Sequence, residues 1–235
     1  MVKSGLVDKP YVSHYRLAIH FIFALCLLIY FIWLTLNQAF RQDSDEALSP
    51  ALDPSLEGVG EGKSTLILIN IFSALQVFWG ALVAGLKAGL GFNTFPLMNG
   101  SWFPLEYLKE SLNSRHWIFF FLENPAGVQF THRLFACILL ILISLFWYKS
   151  LRWALHPWQR KSINGLGIIA YLQFMLGVLT LVRFVPLKLA SAHQLLATLL
   201  IAILTLVNFA LKDHLNSRKT SCNALAVGRR SASCK

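Results

Sequence analysis

The sequence predicts an all-α membrane protein, a polytopic bundle of five transmembrane helices. Two observations carry that prediction. Leu17 to Leu36, Thr65 to Leu86, Leu134 to Tyr148, Ile163 to Val182 and Leu189 to Leu211 are apolar blocks without a single Asp, Glu, Lys or Arg. Charged residues make up 14% of the 235, against roughly 25% in ordinary soluble domains. A helix rises ~1.5 Å per residue, so roughly 20 apolar residues cross the hydrocarbon core. Lipid admits only helices or closed barrels, and these blocks lack the strict alternation of barrel strands.

Along the chain, Val2 to Arg16 is polar and the first block is longer than a signal-peptide core, so no cleavable leader is expected. The linker 41–63, rich in Asp, Glu, Ser, Pro and Gly, reads as flexible. The second block follows. The segment 88–127 is long and aromatic, with Trp102, Phe103, Tyr107, Trp117 and Phe119 to Phe121. Such residues favour the membrane interface, and they suggest an ordered cap on its surface. The third block reaches spanning length when Val128 to Arg133 is added, which puts His132 and Arg133 in its first turns. The fourth and fifth blocks flank the short connection 183–188, and the tail from Asn216 reads as disordered and basic.

Loops 37–64 and 149–162 and the C-terminal tail share one side of the membrane, and they hold the larger share of Lys and Arg. By the positive-inside rule that side is cytoplasmic, with the N-terminus outside and the C-terminus inside. The net charge of +10 is spread over loops and tails and forms no patch that would bind nucleic acid. Cys26, Cys137, Cys222 and Cys234 have neither metal-site spacing nor the pattern of a disulfide framework. The chain has no phosphate-binding loop, dinucleotide fingerprint or framed nucleophile.

Chemistry is concentrated in histidines. The odd-numbered helices run parallel, and each carries an imidazole in its first turns: His20, His132 and His193. Ionisable side chains inside a span are costly and usually face a partner in the bundle interior. No carboxylate lies within the spans to act as a proton partner, so ligation of heme iron by neutral imidazole is the reading to test. Arg16, Arg133 and Arg183 stand close in sequence to these histidines, where cations would neutralise heme propionates or snorkel to headgroups. His14, His116, His156 and His214 read as interfacial polar residues.

Five segments then make the chain recognisable: Tyr15-Arg16-Leu17-Ala18-Ile19-His20, Gly80 to Gly89, Asn93 to Gly100, Gln129-Phe130-Thr131-His132-Arg133, and Ala190-Ser191-Ala192-His193-Gln194. In this order they resemble heme A synthase, the membrane enzyme family that oxidises a methyl group of heme O to the formyl group of heme A. The resemblance implies an eight-helix fold of two similar four-helix halves, of which this chain matches the fourth to eighth helices. It implies His132 and His193 as axial ligands of a cofactor heme b, and their sequence neighbours Arg133 and Arg183 are the cations expected beside it. It also implies His20 as a catalytic, iron-facing residue of the half that holds heme O. Residues 1–64 are then a remnant of the substrate half, 65–215 the heme b bundle and 216–235 the tail.

The family's partner histidine for His20 and its glutamate lie on an earlier helix, so a start at an internal methionine is expected. The chain as given is expected to bind heme b without making heme A. The implied partners are the lipid bilayer, heme O and the enzyme that produces it, an electron donor, and further copies of the chain in a homo-oligomer. The location implied is a bacterial inner membrane, or the mitochondrial one in a eukaryote. Two other readings stay open: a heme-binding electron-transfer module, and a transporter-like bundle without cofactor.

Overall fold

In the computed structural model, residues 13–43, 59–114, 117–153 and 155–232 are described. Seven α-helices form among them: α1 (His14–Asp43), α2 (Val59–Gly85), α3 (Leu105–Ser114), α4 (Ile118–Glu123), α5 (Pro125–Ser150), α6 (Pro157–Val182) and α7 (Leu187–Ala232). Five of these are long and apolar enough to cross a membrane, over His14–Ala39, Gly62–Gly85, Pro125–Ser150, Pro157–Val182 and Leu187–Leu211. The five spans expected from composition are therefore present.

Two boundaries differ from the expectation. The third span begins at Pro125, ahead of Val128, because Asn124 caps the helix by accepting from the Ala126 N–H at 2.9 Å and Pro125 takes the first helical position. The last helix continues through Ala232, so the backbone of 216–232 is helical where composition predicts a disordered tail. Its Ala, Leu, Lys and Arg residues are adequate helix formers. The acidic linker is entered from both sides by helix, at Asp43 and at Val59, and 44–58 lies outside the described residues. So do the opening residues 1–12 and His116.

Helices α2, α5, α6 and α7 close a ring: α2 packs on α5, α5 on α6, α6 on α7 and α7 back on α2. Helix α1 leans on α2 and α7 from outside that ring, burying only Ala18 and Leu25 of its described residues. At the α5–α6 turn end, the ring is filled by Leu66, Ile69, Ile143, Phe146, Ile163, Leu166 and Val207 with Trp153 beneath them. Gly167 lets α6 close on the Trp147 ring, and a Cβ there would approach Cε3 at 2.6 Å.

The other end is closed by the segment between α2 and α5, called the cap end below. Asn93 Nδ2 donates to Gly89 O at 2.7 Å and to Leu181 O at 3.0 Å, which ties the segment to the end of α6. Phe92, Met98 and Ala126 form a small core there, joined by Phe130, and Phe103 meets the Phe130 ring edge-on. Trp102 and Trp117 stay exposed, as suits an interfacial cap. The α6–α7 reversal places Phe184 and Val185 in the left-handed region, at φ 60° and 53°. For a β-branched residue that is uncommon; Val185 is held by its N–H to Thr180 O at 2.9 Å.

Arg133 links the cap to the bundle. Its guanidinium donates to the carbonyls of Phe92 at 2.7 Å, Thr94 at 2.9 Å and Leu97 at 3.4 Å. A rigid, forked donor holds carbonyls converging from one loop more firmly than a compact ammonium on a flexible stem. Arg133→Ala and Arg133→Lys are both expected to lower stability, by about 1–3 kcal/mol. Both should also expose 92–101 to protease, seen as a lower melting temperature and an early cleavage in that segment. Parental melting and resistance in both variants would contradict this role.

Candidate functional site

Two half-buried histidines come from diagonally opposite members of the ring. His132 lies on α5 and His193 on α7, in the cap-end half of each helix. Each ring rests on the neighbouring helix rather than on its own. Gly80 of α2 faces His132, where a Cβ would stand 3.1 Å from the ring Cε1. Gly177 of α6 faces His193, where the corresponding distance is 2.8 Å. One turn away on the same faces, Gln76 Nε2 lies 3.3 Å from His132 Nε2 and Gln173 Nε2 lies 3.3 Å from His193 Nε2.

The two halves of the ring therefore repeat each other. A Gln and a Gly four residues apart on one helix form a notch, and the imidazole of the packed neighbour fills it. The α2–α5 pair and the α6–α7 pair use this same construction. The nitrogens not facing glutamine, His132 Nδ1 and His193 Nδ1, are buried without a hydrogen-bond partner, as are Gln76 Oε1 and Gln173 Oε1. Buried polar atoms are nearly always paired. Four unpaired ones lie around the two imidazoles, where a polar or metal-bearing group would meet unsatisfied donors and acceptors.

Neutral imidazoles from two facing helices can bind one iron from opposite sides, with apolar side chains around the macrocycle. The residues present fit such a group. Among the described residues, no group of three or more His, Cys, Asp and Glu comes together to hold a metal ion.

The structure seats two of the sequence-derived candidates, His132 and His193, in matching notches on diagonal helices. His20 is exposed on α1 and does not join them. Arg133, expected beside propionates, has its terminal nitrogens engaged by the loop carbonyls given above. Arg183 caps the end of α6 and is exposed. His156 stands at the start of α6, at the far end of the bundle, where its N–H donates to Gln159 Oε1 at 3.0 Å. His14 packs against Gly85 and Tyr15 at the start of α1, with its Nε2 buried and unpartnered.

Sequence reading missed the two glutamines and two glycines. A signal existed: Gln76-Val-Phe-Trp-Gly80 and Gln173-Phe-Met-Leu-Gly177 repeat one spacing inside charge-free spans, and uncharged amides there still need partners. A separate cavity of about 420 Å³ between α1, α2 and α7 is lined by Ile22, Ser73, Thr205 and the Asn70–Asn208 pair, among others. Neither His132 nor His193 lines it.

A family model described as cytochrome oxidase assembly protein (COX15-CtaA) matches residues 1–205. The chain is 38% identical over 205 residues to a heme A synthase of Flavobacterium psychrophilum, covering 87% of this chain and 56% of that protein. It is 38% identical over 216 residues to a heme A synthase of Nitrosospira multiformis, covering 90% and 56%. It is 35% identical over 216 residues to a heme A synthase of Rickettsia conorii, covering 91% and 59%. The chain thus spans a little over half the length of these relatives. No solved structure matches it significantly.

Proposed function

Because the chain belongs to the cytochrome oxidase assembly protein family, we propose that it serves heme A synthesis, the oxidation of a heme O methyl group to a formyl group, with heme b held between His132 and His193. The observation that carries this reading is the pair of half-buried imidazoles on diagonal helices, each seated in a Gln–Gly notch. When bound there, heme b supplies one-electron transfer toward the substrate.

The chain's own residues do the rest. Gly80 and Gly177 let each imidazole approach its neighbouring helix. The inner core from Leu66 to Val207 excludes water from the far side, which keeps the site in a low dielectric. Arg183, exposed at the cap end, is the cation assigned to the propionate edge. Arg133 contributes its charge from within the loop it ties down. His20 on α1 belongs to the substrate side, with residues 1–64, and is the residue assigned to heme O.

A second reading draws on the fact that the site lies wholly within α2, α5, α6 and α7: an electron-transfer module holding heme b. Expression in a host that makes heme O but no heme A, followed by chromatography of the extracted hemes, separates the two. Heme A that disappears with His20→Ala and with His132→Ala supports the synthase. Heme A formation indifferent to His132→Ala overturns the proposed cofactor role. Heme b without heme A, the result expected of residues 1–235 alone, supports the heme b site and favours the electron-transfer module as the role of this segment.

We place the cap end outside the membrane and the α5–α6 turn inside, on the Lys and Arg distribution. Asn99 and Lys161 are both exposed, at opposite ends of the bundle. With cysteine at each position in turn, an impermeant thiol reagent applied to intact cells is expected to label Asn99→Cys and spare Lys161→Cys. The reverse pattern would invert the topology.

A further inference from the structure

A metal-bound imidazole has one nitrogen on the metal and one left over, and the leftover nitrogen carries a proton. In a low-dielectric interior that N–H needs an acceptor, because an unpaired buried donor costs about 1–3 kcal/mol. Ligand histidines nearly always find one, and the acceptor fixes the ring's orientation and raises its basicity. The polar group set beside each ring here is a carboxamide: Gln76 at His132 and Gln173 at His193, both at 3.3 Å. In each pair the amide oxygen is buried without a partner, and so is one ring nitrogen. As placed, each amide nitrogen meets ring Nε2; with amide oxygen and nitrogen exchanged, the oxygen faces Nε2–H and Nδ1 is left for iron, in both notches alike.

We infer that Gln76 and Gln173 are positioning residues for the two ligand imidazoles, each carboxamide oxygen accepting the N–H of the ring nitrogen not used by iron. This rests on the reading of His132 and His193 as an axial pair. The glutamines touch neither iron nor substrate; they act through the histidines. The glycine one turn further along the helix completes the device, since a side chain there would push the ring off the carboxamide. Because each half of the ring brings its own copy, the two glutamines are expected to act alike and separately.

The test uses the full chain, purified in detergent and loaded with heme b. Heme release to excess apomyoglobin and the midpoint potential from a spectroelectrochemical titration are measured for Gln76→Leu, Gln173→Leu, Gln76→Glu and Gln173→Glu. Leucine removes the acceptor and is expected to speed release ~10–100-fold. It should also raise the midpoint potential, because a less basic imidazole stabilises ferric iron less. Glutamate keeps an acceptor, and is expected to restore retention and to bring the potential to or below the parent value. Should a leucine variant fail to fold, methionine at the same position has similar length without a strong acceptor and gives the same readout. Faster release with an unchanged potential would show a packing role and overturn the inference, as would parental release in the leucine variants. Heme retained in both His132→Ala and His193→Ala would instead remove the axial-pair reading beneath it.

Discussion

His132→Ala and His193→Ala are each expected to abolish the b-type absorption of the purified chain, or reduce it at least tenfold, while His156→Ala leaves it intact. The two imidazoles are the only histidine rings among the described residues that sit in a Gln–Gly notch. Losing either leaves iron with one protein ligand and an apolar gap in place of the other. His156 lies at the opposite end of the bundle and serves the start of α6, so its loss changes a helix terminus and not the site. Absorption spectra of the three variants, normalised to protein, decide the matter. Parental heme content in both ligand variants would mean that the iron is held elsewhere.

The second large effect is expected from residues that carry no chemistry. Gly80→Val and Gly177→Val should each lower heme occupancy severalfold, with Gly177→Val the stronger. A Cβ at Gly177 would meet the His193 ring at 2.8 Å, and one at Gly80 would meet the His132 ring at 3.1 Å. The first distance requires movement, and the branched Val side chain adds bulk in both notches. Overpacking of this kind typically costs about 1–3 kcal/mol, here spent on displacing a ligand ring. Gly165 has open space around its Cβ position, so Gly165→Val is the matched control and is expected to keep its heme. Full occupancy in Gly177→Val would show that the ring has room the structure does not assign to it.

Much of this fold is written along the chain because membranes demand it. A charge-free run of about 20 residues has few alternatives to a spanning helix, and each predicted block coincides with one of the five spans, the second running one residue past it at Leu86. The start of α5 at Asn124–Pro125, an N-cap followed by proline, was missed by the sequence reading. Its position three residues ahead of Val128 shows that apolar content alone sets a late boundary. The helical backbone of 216–232 was not legible, because polar composition argues against packing and says less about local backbone preference.

The site was half legible. His132 and His193 stand out as imidazoles at matched depth in parallel helices, and no packing information is needed to notice them. Gln76, Gly80, Gln173 and Gly177 gain meaning only when α2 is known to pack on α5 and α6 on α7. Each notch is made by one helix for a ring from another, and that relation has no signature in a single segment. Arg133 shows the converse case. Its place beside His132 in sequence suggests a propionate partner, yet its guanidinium is turned to the loop carbonyls of Phe92, Thr94 and Leu97.

The central claim is that one iron is held between His132 and His193. Low-temperature electron paramagnetic resonance of the oxidised, purified chain, with heme quantified per chain, tests it most directly. The expected result is one heme per chain with a low-spin ferric signal of bis-imidazole type. A high-spin ferric signal at full heme occupancy would mean that iron is bound from one side only, and would contradict it.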